Sequence, residues 1–160
     1  METEPVIDKL RISMREVKDA VRGLPSDVLH YKPGPEKWCV LEIVCHLLDC
    51  ERLVYHERLS RLLAEQNPYF PDVDHLPWVS EHRYLEQDFA KVLHELETER
   101  EATIALAQSV PPEKWELAGT HETRGRRTFG DIAEACADHM FTHIAQIHRT
   151  VAVQRSAREK

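Results

Sequence analysis

Three histidines stand at positions from which a helical protein could hold one metal ion. His139 and His143 are four residues apart in the last apolar-periodic segment, and His46 lies in another, far away in sequence. Residues i and i+4 of a helix share a face, so His139 and His143 can chelate together. A third imidazole from a facing helix would complete a three-nitrogen site with positions left open, the pattern of catalytic rather than structural metal sites. Each of the three falls on an apolar seam. Buried imidazoles need partners for both ring nitrogens, and three aimed at one interior would repel if charged. A divalent cation resolves this by binding them neutral. The bland alternative is a hydrogen-bonded core histidine, and with ten histidines in the chain one H-x-x-x-H pair is not rare.

The neighbours of these histidines extend the pattern. Gln146, three residues past His143, is placed to hydrogen-bond a ligand, and Glu42, four before His46, to act similarly. Cys50 follows His46 by four and Cys136 precedes His139 by three. Either is a candidate soft ligand, which would favour zinc, or small apolar core filler. His148 is off the face of the pair. His30, His56, His75, His82 and His94 read as surface or loop residues.

Four helices must position this cluster. The first is expected over Pro5–Gly23, with Ile7, Leu10, Met14, Val17 and Val21 as its seam and a short turn after Ser26. The second is expected from Glu36 to Gln66, with a seam of Cys39, Ile43, His46, Cys50, Leu53 and Glu57 and a second apolar row through Val40, Val44, Leu47 and Val54. So wide an apolar face places it at the centre. The third is expected over Glu81–Ser109 and stops at Pro111-Pro112. The fourth starts near Phe129 behind Thr128 as N-cap and runs to about Gln154. Residues 67–80 form a Pro- and aromatic-rich loop expected to cover one end of the bundle and shape an entrance. Residues 112–128 read as a connector that begins with a short helical turn around Glu113-Trp115. The fold class is all-α, a four-helix bundle, with residues 1–160 as one domain.

Composition narrows the function. A net charge of −7 opposes nucleic-acid binding, which needs a basic face. The basic C-terminal dozen residues read as a frayed helix end. No apolar run reaches membrane-spanning length, and the acidic N-terminus lacks a signal-peptide pattern, so a cytoplasmic protein is expected. Cys39, Cys45, Cys50 and Cys136 include no C-x-x-C pair and read as reduced thiols.

Two stretches are recognisable together. Pro35 to Glu51, with Lys37-Trp38 followed by His46-Leu47 eight residues after the tryptophan, resembles the second-helix signature of the DinB/YfiT-like superfamily. Arg127 to Ile132, then Asp138 to Ile147 with His139-x-x-x-His143-x-x-Gln146, resembles its closing helix. Gly119-Thr120-His121 and Gly125 resemble the loop before it. The similarity spans roughly Leu24 to His148. It implies a four-helix bundle, usually a homodimer, and a divalent metal, commonly zinc or nickel, on His46, His139 and His143. Family members include bacillithiol transferases, mycothiol-dependent maleylpyruvate isomerases and many putative metal-dependent hydrolases, which implies a small-molecule substrate and, for the transferases, a thiol cofactor. His121 matches a family histidine, but its polar loop fits a surface role equally well.

Two function classes follow. One is an enzyme, in which a three-histidine metal activates water or presents a thiolate. Glu42, Glu57 and Glu99 are its weak candidates for a base. The other is a non-enzymatic metal-binding or stress-related bundle, whose site would be closed by a fourth protein ligand such as Cys50 or Cys136. The first and third helices are the candidate dimer faces.

Overall fold

The apolar seams are the sides on which the helices meet. The computed structural model describes residues 2–160. Helix α1 (Glu4–Val21) buries Val6, Ile7, Leu10, Met14, Val17 and Val21. A one-turn helix α2 (Ser26–Leu29) follows. The second long helix is continuous from Val40 to Ala64 but has three parts: α3 (Val40–Cys50), a π-helical segment (Glu51–Tyr55) and α4 (His56–Ala64). Helix α6 (Phe89–Ser109) and helix α7 (Phe129–Arg158) complete the bundle. α1 packs on α7 and α6, and α3 packs on α6 and α7. Every residue of α3 is buried, so it is the central element.

Local chemistry sets the helix starts. The second helix begins at Val40 rather than at Glu36, because Glu42 Oε1 accepts the backbone N–H of Cys39 at 3.1 Å and caps the helix there. The third begins at Phe89 rather than at Glu81. Residues 76–86 form instead a short helix α5 (Leu76–Glu81) and a 3-10 turn (Tyr84–Glu86), separated by Arg83 at φ +50°. Asp88 then caps α6 through the Lys91 N–H at 2.8 Å. Leu85 lies in that turn and is 49% exposed. α7 starts where expected. Thr128 Oγ1 accepts the Asp131 N–H at 3.0 Å and Asp131 Oδ2 accepts the Thr128 N–H at 2.9 Å. It continues through the basic end to Arg158, which lies 3.0 Å from Asp27.

The 112–128 connector holds more structure than its composition announced. A 3-10 turn (Pro112–Glu116) leads into a hairpin of β2 (Ala118–His121) and β3 (Gly125–Thr128), and β1 (Tyr69–Phe70) from the 67–80 loop joins β2 in parallel. Gly125 takes φ +68° to close the three-residue turn. A Cβ on Gly119 would lie 2.5 Å from the Pro68 carbonyl oxygen, so only glycine admits this approach of β2 to β1.

The π segment rotates the second helix. Beyond Cys50 the buried positions are Glu51, Val54, Leu59 and Leu62, so the step from 54 to 59 is five residues. Leu53 and Glu57, expected on the seam, turn outward. The extra residue brings Glu51 into the interior against Arg100 of α6, with side chains 2% and 1% exposed. Arg100 donates to Glu51 Oε1 and Oε2 at 2.9 and 2.7 Å, to Ser13 Oγ at 2.7 Å, to the Leu10 carbonyl at 3.1 Å and to the Cys136 carbonyl at 3.3 Å. This polar layer lies between two apolar clusters. One contains Met14, Leu48, Leu96 and Met140, and the other Leu10, Leu59, Ala107 and Ala133. The seams of α1 and α6 are consumed within the chain. Among the described residues no helix is long and apolar enough to cross a membrane.

Candidate metal centre

His46 projects from the middle of α3, and His139 and His143 from successive turns of α7, which packs beside it. The three rings converge. His139 Nε2 lies 3.2 Å from His46 Nε2 and 3.1 Å from His143 Nε2. Ring centroids are 4.6 to 5.2 Å apart. A tetrahedral ion with metal–nitrogen bonds of about 2.0–2.1 Å sets its ligand nitrogens about 3.3 Å apart. The residues therefore fit the ion that their types suggest, and their ligand atoms are close enough to hold one in common.

The electrostatics agree with the geometry. Burial, reinforced by the neighbouring imidazoles, pushes His46 down to about 2. Burial and His143 take His139 down to about 3. His143 is lowered by burial as well. Neutral rings offer the lone pair that a cation takes. Gln146 Oε1 accepts from His143 Nδ1 at 2.7 Å, so the lone pair of His143 sits on Nε2, where the three rings meet.

The other residues singled out in the sequence divide. Cys50 is beside the cluster, its Sγ 3.6 Å from His46 Nε2. Burial pushes its thiol up to about 12. Glu42 is not beside His46: it caps α3 and lies 3.1 Å from Lys32. Cys136 is also turned away, its Sγ 3.4 Å from Glu51 Oε2 in the polar layer, because the π segment brings Glu51 to that face. Glu57 and Glu99 lie by Arg61 and Arg52, at 3.8 and 3.7 Å.

Several site residues escaped the periodicity reading. His75 comes from the 67–80 loop, with its ring 5.2 Å from that of His46 and its Nδ1 3.9 Å from Cys50 Sγ. With His46 and Cys50 it forms a second group whose atoms could share an ion. Tyr55, in the π segment, has its ring 5.5 Å from that of His139. Trp38 stands 4.9 Å from His46 and Trp78 stands 5.4 Å from His75. His121 is buried on β2, not a surface loop residue, and lines a cavity beside Tyr55. The density of aromatics and histidine in 67–80 was the available signal. Its assignment to an entrance did not extend to His75.

A family profile for the DinB superfamily matches residues 9–147. The chain belongs to the DinB superfamily. Among solved structures, this DinB-superfamily chain is similar to YfiT from Bacillus subtilis, with a TM-score of 0.83 and 21% identity over 93% of this chain and 85% of that one. YfiT is described as a probable metal-dependent hydrolase with an unusual four-helix bundle topology. At this identity the likeness establishes the shared bundle fold. No curated protein matches the chain significantly.

Proposed function

We propose that His46, His139 and His143 hold one divalent metal ion, zinc or nickel, and that the protein is an enzyme acting on a small molecule. The reaction is metal-dependent hydrolysis or transfer to a low-molecular-weight thiol. The observation that carries the reading is the convergence of three neutral imidazole Nε2 atoms at 3.1–3.2 Å. Membership of the DinB superfamily and the description of YfiT support it. An ion held there supplies Lewis acidity toward water, a carbonyl oxygen or a thiol. The chain's own groups do the rest. Gln146 holds the His143 tautomer. Trp38 and Trp78 form apolar walls that limit water. Tyr55, whose hydroxyl burial keeps protonated, offers a hydrogen-bond donor near His139. The reading includes a cytoplasmic homodimer, which sedimentation velocity would test.

Metal analysis of protein purified without an affinity tag tests the site. The wild type is expected to carry stoichiometric metal and His139→Ala to lose it. Chelation should lower the melting temperature of the wild type but not of the variant, because an ion bound only to the folded state stabilises it. Stoichiometric metal retained in His139→Ala would overturn the triad. Turnover assays with esters, amides and thiol–electrophile pairs then separate hydrolysis from transfer.

One observation favours a second reading, a closed and non-catalytic site. Cys50 and His75 stand close enough to His46 to add protein ligands. Cobalt spectra distinguish the two. A sulfur-to-cobalt charge-transfer band that Cys50→Ser abolishes would mark the closed site.

A further inference from the structure

A cavity of about 130 Å³ opens beside the ring cluster, lined by Tyr55, Arg58, His75, His121, Arg124 and Arg127. It adjoins the cluster at Tyr55 and His75, which line it and whose rings lie 5.5 Å from that of His139 and 5.2 Å from that of His46. Three arginines thus line one small space in a chain whose net charge is −7. Elsewhere the arginines of the helices are largely matched, as Arg11, Arg52, Arg61 and Arg100 are with glutamates or aspartates. Among the described residues Arg58, Arg124 and Arg127 have no carboxylate oxygen within 4.0 Å. The one carboxylate lining the cavity, Asp72, is half exposed and accepts from Thr123 Oγ1 at 3.0 Å.

The cavity is also organised. Arg58 donates through Nη2 to the Pro71 carbonyl at 2.8 Å and lies over the Phe70 ring at 5.5 Å, which fixes one edge of the fork and leaves other donors available. His121 Nδ1 accepts the Thr123 N–H at 3.3 Å, so its Nε2 carries the proton and is a donor. Burial first, then Arg58, holds His121 below the usual histidine range, and Arg124 and Arg127 act in the same direction. Asp72, 3.7 Å from His121 Nδ1, acts in the opposite direction, so the positive potential is felt at His121 and is offset only in part.

We propose that this cavity binds the oxyanion head, a carboxylate or a phosphate, of the small molecule whose reactive group reaches the histidine cluster. Planar guanidinium forks match such heads, and charge-assisted hydrogen bonds are the strong ones. The assignment rests on the metal reading of His46, His139 and His143, and it adds the class of substrate. A chain of net charge −7 repels anions as a whole, so the arginines select a ligand that presents its charge at this one place.

The test uses cobalt-loaded protein and two pairs of thiol probes: 3-mercaptopropionate against 3-mercaptopropanol, and 6-mercaptohexanoate against 6-mercaptohexanol. The sulfur-to-cobalt band reads binding. In at least one pair the carboxylate is expected to bind about tenfold more tightly than the alcohol. Arg58→Gln should remove most of that preference while leaving the alcohol's affinity and the cobalt content unchanged. Arg124→Gln, on an exposed side chain, should reduce the preference without any risk to folding. Competition by inorganic phosphate or by acetate identifies the head. Equal affinity within both pairs, or a preference that survives both substitutions, would overturn the proposal although cobalt is bound. Failure to take up cobalt would instead sink the metal reading. The oxyanion site is then read on the metal-free protein, as saturable shifts of the Arg58 Nε–H resonance with inorganic phosphate or acetate, and their absence would overturn it.

Discussion

Gln146 has the most specific job of any residue outside the histidine triad. Its carbonyl oxygen holds the Nδ1–H of His143 at 2.7 Å, and among the described residues that nitrogen has no other hydrogen-bonding partner. Without this contact the buried ring is free to carry its proton on Nε2, where the three lone pairs meet. Gln146→Leu is therefore expected to weaken metal affinity by roughly 10–100-fold, the usual effect of losing such an orienting partner, with little change in folding. Competition with a calibrated chelator measures it. Gln146→Glu should keep the geometry and hold affinity near or above that of the wild type. His46, His139, His143 and Gln146 were all legible from spacing. His75 was not, because a histidine in an irregular loop carries no periodicity to say where it points.

Two features matter at the scale of elements, the start of α7 and the π segment. α7 carries two of the three clustered histidines, and its first turn is closed by Thr128 and Asp131. The Thr128 N–H holds the Asp131 carboxyl below its ordinary 3.8. A carboxyl whose folded pKa is depressed adds stability above its unfolded pKa, and that gain disappears as pH falls through the folded value. Asp131→Ala should thus cost about 1 kcal/mol at neutral pH. The gap from the wild type should narrow in urea melts below the ordinary 3.8. The capping pattern of α7 was readable because it is local. The π segment was not. Leu53 and Glu57 continue a regular 3.6-residue seam, and nothing in residues 51–55 alone shows that Glu51 is worth turning inward until Arg100 is placed opposite.

Across the whole molecule, the Glu51–Arg100 layer ties α1, α6, α7 and the second helix together between the two apolar clusters. Its members leave no guanidinium nitrogen without a partner. Removing one member strands the other in an apolar interior. Arg100→Ala is expected to lose about 3–5 kcal/mol by urea denaturation, whereas Arg100→Met with Glu51→Leu should recover much of it. Cys136, which borders this layer, then contributes to stability rather than to the metal centre. Cys136→Ser should leave metal content intact.

The sequence by itself determined the helical class, the central place of the second helix, the family and the three histidines with Gln146. The family follows from the resemblance of two motif stretches, and the rest from periodicity and short spacings, which depend on a residue's own helix. Tertiary structure alone decided which residues join the histidines from elsewhere: His75 from a loop, Trp78 from α5, Tyr55 from a π turn, and three arginines from α4, a hairpin turn and β3. It also removed Glu42 and Cys136 from the surroundings of the histidine cluster, through a helix cap and a buried ion pair. Such convergence depends on packing between segments distant in the chain, and no local spacing encodes it.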